Sequence, residues 1–335
     1  MKASTFNFEE KRLAKEIRKH NAERVLIQLP EGLKPYALRI ATTVESAGAQ
    51  SIVSADPCYG ACDLAIFDAQ ALRVDLIVHY GHTEMIKQPT IPAIYFEARA
   101  RIALKAVVEE ALSLLDLWDS IGLATTVQHI FEIDKARDVL LRGNKKVVIG
   151  DAGKLKYPGQ VTGCDYSNVR AIADQVKAFL FIGGGRFHAI GVSLATSRPT
   201  IVADPYENRV FNVEDEAEKA RRQRMASVSD AKKARNFGIL ICLRSGQMRF
   251  QRAVEIKDKL QSRGKNAFMF ALREITPEAL MQFPTIDAYV NTGCPRIVID
   301  DAPRFSKPML TMNEALLIAE EMDWETLCKK GWFEN

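Results

Sequence analysis

A chain of 335 residues has room for two or three domains, and its balance of 47% hydrophobic to 26% charged residues is that of a protein that builds a core in water. Lysine and arginine outnumber aspartate and glutamate by only 46 to 42, a net +4 too mild to imply nucleic-acid binding by charge. No apolar run nears the roughly 18 residues of a membrane helix, and the N-terminal MKASTFNFEEKRLAKEIRKH lacks a signal-peptide core. A cytoplasmic protein is expected, with neither membrane nor nucleic acid as partner.

In chain order, RVLIQL (24–29), SIVSA (51–55), DLIVHY (75–80) and PAIYF (92–96) read as short buried strands. Longer amphipathic stretches such as 34–48 lie between them, the pattern of βαβ units and a parallel sheet. After a helix over 101–118 the pattern returns as IGLATTV (121–127), KVVIG (146–150), AFLFIG (178–183) and TIVAD (200–204). The charged run 212–236 mixes both signs and reads as a solvated linking helix. Beyond it come FGILICL (237–243), AFMFA (267–271), DAYVNTG (287–293) and PMLTM (308–312). The third strands VDLIVHYGH, VKAFLFIGGG and IDAYVNTGC align, and each fourth strand begins beside a proline: Pro92, Pro199 and Pro308. The expected fold is therefore α/β, with three similar small domains, each a four-stranded parallel sheet flanked by helices. The boundaries fall at 1–100, 101–211 and 212–335. One long doubly wound sheet is the alternative.

Disulfides are rare in a reducing compartment, so the six cysteines are core thiols or ligands. In open α/β sheets, ligands bind beyond the carboxyl ends of strands. Cys58 and Cys62 follow the second strand of the first copy. Cys164 follows the loop DAGKLKYPGQVTGCD in the second copy, and Cys294 follows the third strand of the last. Each copy thus places a cysteine past a strand end near a helix start, where a thiolate is favoured. Three converging thiolates with one open position suit a 4Fe–4S cluster whose fourth iron binds substrate. Three unrelated loop thiols remain the competing account, because no CxxC pair or local metal spacing is present.

SADPCYGACDLA, DLIVHYGH, YPGQVTGCD and NTGCPRIVIDD, in this order, resemble the diphthamide synthesis family, in particular its archaeal first-step form. The resemblance runs from PEGL (30–33) to the third cysteine segment. It implies three α/β domains, each giving one cysteine to a 4Fe–4S cluster: Cys62 from YGAC, Cys164 from TGCD and Cys294 from TGCPR. Cys58, one helical turn from Cys62, is the rival ligand, while Cys242 and Cys328 read as packing thiols. The resemblance further implies a non-classical radical enzyme. It cleaves S-adenosyl-L-methionine to methylthioadenosine and a 3-amino-3-carboxypropyl radical, which adds to C2 of a histidine in elongation factor 2. A homodimer and an external electron donor are implied as well. The alternative within the family is a non-catalytic iron–sulfur electron-relay partner, and outside it a small-molecule binding protein with incidental thiols.

Strand-end placement then supplies the candidate cofactor contacts. Gln28 ends the first strand, and His79 and His82 flank Gly81. Gly184 sits in a triple-glycine loop before Arg186 and His188, a weak likeness to a phosphate loop. Gln247 follows the first strand of the third copy, and Arg296 beside Cys294 suits a substrate carboxylate. His20 and His129 carry no motif.

Overall fold

A computed structural model describes residues 5–333. Three sheets follow one another along the chain, and each puts its strands in the spatial order second, first, third, fourth. The first sheet aligns Gln50–Val53, Arg24–Gln28, Leu76–Tyr80 and Ala93–Phe96, all parallel. The third aligns Asn266–Leu272, Asn236–Cys242, Ala288–Asn291 and Met309–Leu310, also all parallel. In this order the chain reverses its winding between the first and third strands, which opens a crevice beyond their carboxyl ends.

The second sheet departs from the expected fold. Lys146–Val148, Ser120–Thr125, Ala178–Ile182 and Thr200–Asp204 are parallel, but a fifth strand, Arg209–Asn212, runs antiparallel to the last of them. Three like four-stranded parallel domains are therefore not what forms. The cause is a hairpin: Asp204 Oδ1 accepts the backbone N–H groups of Tyr206 and Glu207, and Asn208 takes the left-handed conformation that asparagine tolerates. A short antiparallel pair, Phe6–Asn7 with Arg99–Ala100, was likewise absent from the sequence expectation.

Equivalent contacts recur in the three units. The carbonyls of Pro92, Pro199 and Pro308 accept from Ile77, Phe179 and Tyr289 on the neighbouring third strands. Asp75 takes the N–H groups of Glu23 and Arg24, as Asp287 takes those of Arg235 and Asn236. The second unit carries Lys177 at that place, ion-paired to Asp119.

The charged run does form a helix, Glu214–Lys232, but it is not simply solvated. Ala217 and Ala220 pack into the core of the second sheet, and Val228 and Ala231 into that of the third. Between them the fully buried Arg224 pairs with Glu314. Trp332 and Phe333 return to the second core, against residues such as Val161 and Phe179. Among the described residues, no helix is long and apolar enough to cross a membrane.

Candidate functional site

The three units close on one another through polar clamps at their strand ends. The loop after Asn236–Cys242 grips the first unit: Arg244 pairs with Asp63 at 2.6 Å, Ser245 donates to the Leu64 carbonyl, and Gly246 N–H donates to the Cys62 carbonyl. Gly246 must lack a side chain, because a Cβ would lie 2.8 Å from Cys62 Cα. Glu97 takes Lys156 and Tyr157, and Gln128 donates to the Gly81 carbonyl, joining the first unit to the second. Arg296 lays its guanidinium 3.5 Å from the centre of the Phe187 ring and donates to the Phe187 carbonyl, joining third to second.

This closure gathers Cys62, Cys164 and Cys294. The Cys62 thiol feels both of the others electrostatically, and Cys294 feels Cys164. Burial pushes the Cys62 thiol up to about 12, Cys294 to about 11, and Cys164 upward as well. The sequence argument expected the opposite, from helix starts. Only Cys294 directly caps a helix, the five-residue Pro295–Ile299, and desolvation outweighs what one short turn of backbone N–H groups supplies. Each sulfur nevertheless meets a donor. Gln247 Nε2 lies 3.3 Å from Cys62 Sγ, the Thr162 hydroxyl lies 3.8 Å from Cys164 Sγ, and the Arg296 and Ile297 N–H groups face Cys294.

A second set forms beside it in the first unit. Gln28 is oriented by its two backbone bonds, donating to the Asp63 carbonyl and accepting from Ala65 N–H. Its Oε1 also faces His79 Nδ1 at 3.0 Å, so Nδ1 carries the proton and Nε2 accepts from His82 Nδ1 at 2.9 Å. The Cys58 sulfur and one ring nitrogen each of His79 and His82 lie within 4.8 Å of one another, a group of donors that could hold a metal ion. Burial drives His79 well below its usual range, His82 to about 4, and the Cys58 thiol up to about 12. His188 stacks on Phe181 and meets Phe187 edge-on. Burial lowers it to about 3, helped by the nearby Arg296 and His82.

Not every candidate joins these sets. Arg186 is exposed, ion-paired to Glu216 and stacked on Phe211. The triple-glycine loop gives its Gly185 N–H to the Asp204 carboxylate, so an internal anion already occupies it, and Gly184 packs against Tyr206. Arg296 commits Nη2 to Phe187 and Asp300, leaving Nη1 buried without a hydrogen bond. The side chain of Cys328 lies outside the described residues. Sequence reasoning missed Tyr166, whose buried hydroxyl has no partner and whose environment includes Arg296 and Cys164. It missed Arg249, whose guanidinium acts on the Cys164 thiol and whose Nε is buried without a partner; His129, which carries no motif, is buried against Tyr206 with both nitrogens unpartnered. Only Tyr166 carried a signal, two residues past Cys164.

Three α/β units with their strand-end loops turned inward on a group of thiols is the class of protein that fold and site define. The chain belongs to the diphthamide synthesis family, whose model matches residues 29–328. It is 32% identical over 320 residues to the 2-(3-amino-3-carboxypropyl)histidine synthase of Pyrococcus horikoshii, covering 94% of this chain and 92% of that protein. Subunit 1 of the Saccharomyces cerevisiae synthase is 31% identical over 325 residues, covering 95% and 76%. Among solved structures, Dph2 from Pyrococcus horikoshii matches with a TM-score of 0.86 at 30% identity, over 95% of this chain and 92% of that one. A second structure of that protein, with a 4Fe–4S cluster, matches equally. The chain is thus an enzyme of the transferase type in diphthamide synthesis.

Proposed function

We propose that the chain transfers the 3-amino-3-carboxypropyl group of S-adenosyl-L-methionine to C2 of a histidine in elongation factor 2, with release of methylthioadenosine. In this reading Cys62, Cys164 and Cys294, one from each of three units bounded near residues 100 and 211, hold a 4Fe–4S cluster. The observation that carries it is the meeting of the three cysteine loops: Gln247, bonded to Cys62 Sγ at 3.3 Å, packs against Gly293 beside Cys294, and Arg296 packs against Gly163 beside Cys164. The donor set fits the group: three soft sulfur ligands leave one iron open. When bound and reduced, such a cluster supplies the electron that cleaves the sulfonium and frees the carboxypropyl radical.

The chain's own residues place and shield the substrate. Arg296 Nη1 is a buried polar atom still lacking a partner, and it suits the carboxylate at the amino-acid end of the substrate. His82 and His188 are held neutral by burial, so they add no charge against a sulfonium cation. Which carbon–sulfur bond breaks is then a matter of alignment. The deciding experiment is an anaerobic, dithionite-reduced assay with S-adenosyl-L-methionine and elongation factor 2. Methylthioadenosine and the modified histidine are the expected products. Iron binding without methylthioadenosine would mark an electron-relay partner instead.

Cys58 stays outside this ligand set. It is buried among the histidines, and its thiol has only a long 4.0 Å contact to the Gly60 carbonyl. Cys58→Ala is expected to keep the iron content of the unaltered protein, measured after anaerobic reconstitution. Loss of the cluster would transfer the ligand role to it.

The proposed homodimer finds support at the edge strand Asn266–Leu272, which among the described residues pairs only with Asn236–Cys242. It carries no charged residue, and Phe268 and Met269 are 53% and 39% exposed. An unprotected apolar edge invites pairing with another strand. Phe268→Lys is expected to halve the mass seen by light scattering; an unchanged dimer would place the interface elsewhere.

A further inference from the structure

Gln247 is 5% exposed and lies between two sulfurs. Its Nε2 donates to Cys62 Sγ at 3.3 Å, and its Oε1 accepts from the Cys242 thiol at 3.4 Å. Chemistry dictates which way the amide points. Only the NH₂ end can donate to a ligand sulfur, and only the oxygen can receive the Cys242 S–H. The seat for this amide is built from two further loops. A Cβ at Gly293 would come 2.8 Å from Cys242 Cβ and 3.5 Å from Gln247 Oε1, so the residue before Cys294 must be bare. Gly246 must be bare for the same reason against Cys62. Thr162 offers Cys164 only a long hydroxyl contact, and Cys294 is met by backbone N–H groups.

We propose that Gln247 is a positioning residue that sets the reduction potential of the cluster through its N–H···S bond to Cys62, and that Cys242 locks the amide in that orientation. The inference rests on the reading of Cys62 as a cluster ligand. Its physics is electrostatic. Adding one electron, from an external one-electron reductant, increases the negative charge on the ligand sulfurs. An N–H dipole aimed at a sulfur stabilises the reduced form more than the oxidised form and raises the potential. No bond to the protein forms or breaks in this step. A thiol previously read as packing acquires a task, because without its S–H the amide oxygen loses its partner and the side chain its preferred orientation.

The test is a spectroelectrochemical titration of anaerobically reconstituted protein. Gln247→Leu is expected to shift the midpoint to more negative potential than the unaltered protein. Cys242→Ala is expected to shift it in the same direction, and Cys242→Ser, which keeps a donor, to leave it in place. A full cluster at the unaltered midpoint in Gln247→Leu overturns the proposal. If that variant takes up no cluster, Cys242→Ala decides: a lowered midpoint supports the proposal and an unchanged one overturns it. Unaltered protein that binds no iron overturns the functional reading and this inference with it, whereas loaded variants of unchanged potential overturn this inference alone.

Discussion

Replacing Cys62, Cys164 or Cys294 by Ala is expected to abolish cluster binding and, with it, methylthioadenosine release. Reconstituted protein should hold about four irons per chain, and each single variant close to none. The effect is all-or-none because the three ligands come from three different units. No pair shares a loop that could hold a partial cluster, and losing one leaves two irons without protein ligands. The fold should survive, since the three thiols stand on loops outside the six apolar clusters that form the cores. Iron analysis and visible absorbance read the loss, and circular dichroism checks the fold. A variant that kept a full cluster would remove its residue from the ligand set, and three such variants would sink the assignment.

The parallel strands were legible because their physics is local. A buried parallel strand announces itself as an unbroken apolar run; VDLIVHYGH and VKAFLFIGGG run into the positive-φ Gly81 and Gly183, and IDAYVNTGC runs into Gly293, which close packing against Cys242 keeps bare. The shared order second, first, third, fourth follows from the same βαβ winding in each unit. The fifth strand of the second sheet was hidden. RVFN is only four residues long, and the turn before it depends on Asp204 capping backbone N–H groups. Gathered thiols were legible only as strand-end residues. Their proximity depends on Arg244, Arg296 and Glu97 clamping separate sheets, contacts between residues that lie 59 to 181 positions apart in the chain. Tyr166 and Arg249 escaped notice for the same reason. Their value lies in what the fold leaves unpaired. Arg186, by contrast, looked available in sequence because nothing local pairs it; its partner Glu216, thirty residues later, arrives from the long helix.

Arg224→Met is expected to be the most destabilising substitution outside the thiol site, by about 3–5 kcal/mol. Arg224 is 1% exposed and Glu314 0%. The pair is bidentate, Nε to Oε1 at 2.9 Å and Nη2 to Oε2 at 2.7 Å. Arg224 also donates to the carbonyls of Val298 and Met309, and Glu314 accepts from Thr311 N–H in a capping box. One guanidinium thus ties the long helix to three elements of the third unit, including the helix that Cys294 caps. Removing it strands a buried carboxylate and two carbonyls. Glu314→Leu should cost a similar amount by stranding the guanidinium. The double variant is the informative one, because replacing both charges with apolar groups removes the stranded charge while keeping much of the volume. Its loss should be clearly smaller than the sum of the two single losses, read from urea unfolding midpoints. Additive losses would show that the two side chains act through separate contacts. In that case the tie between the long helix and the Cys294 helix would rest on the carbonyl bonds of Arg224 alone.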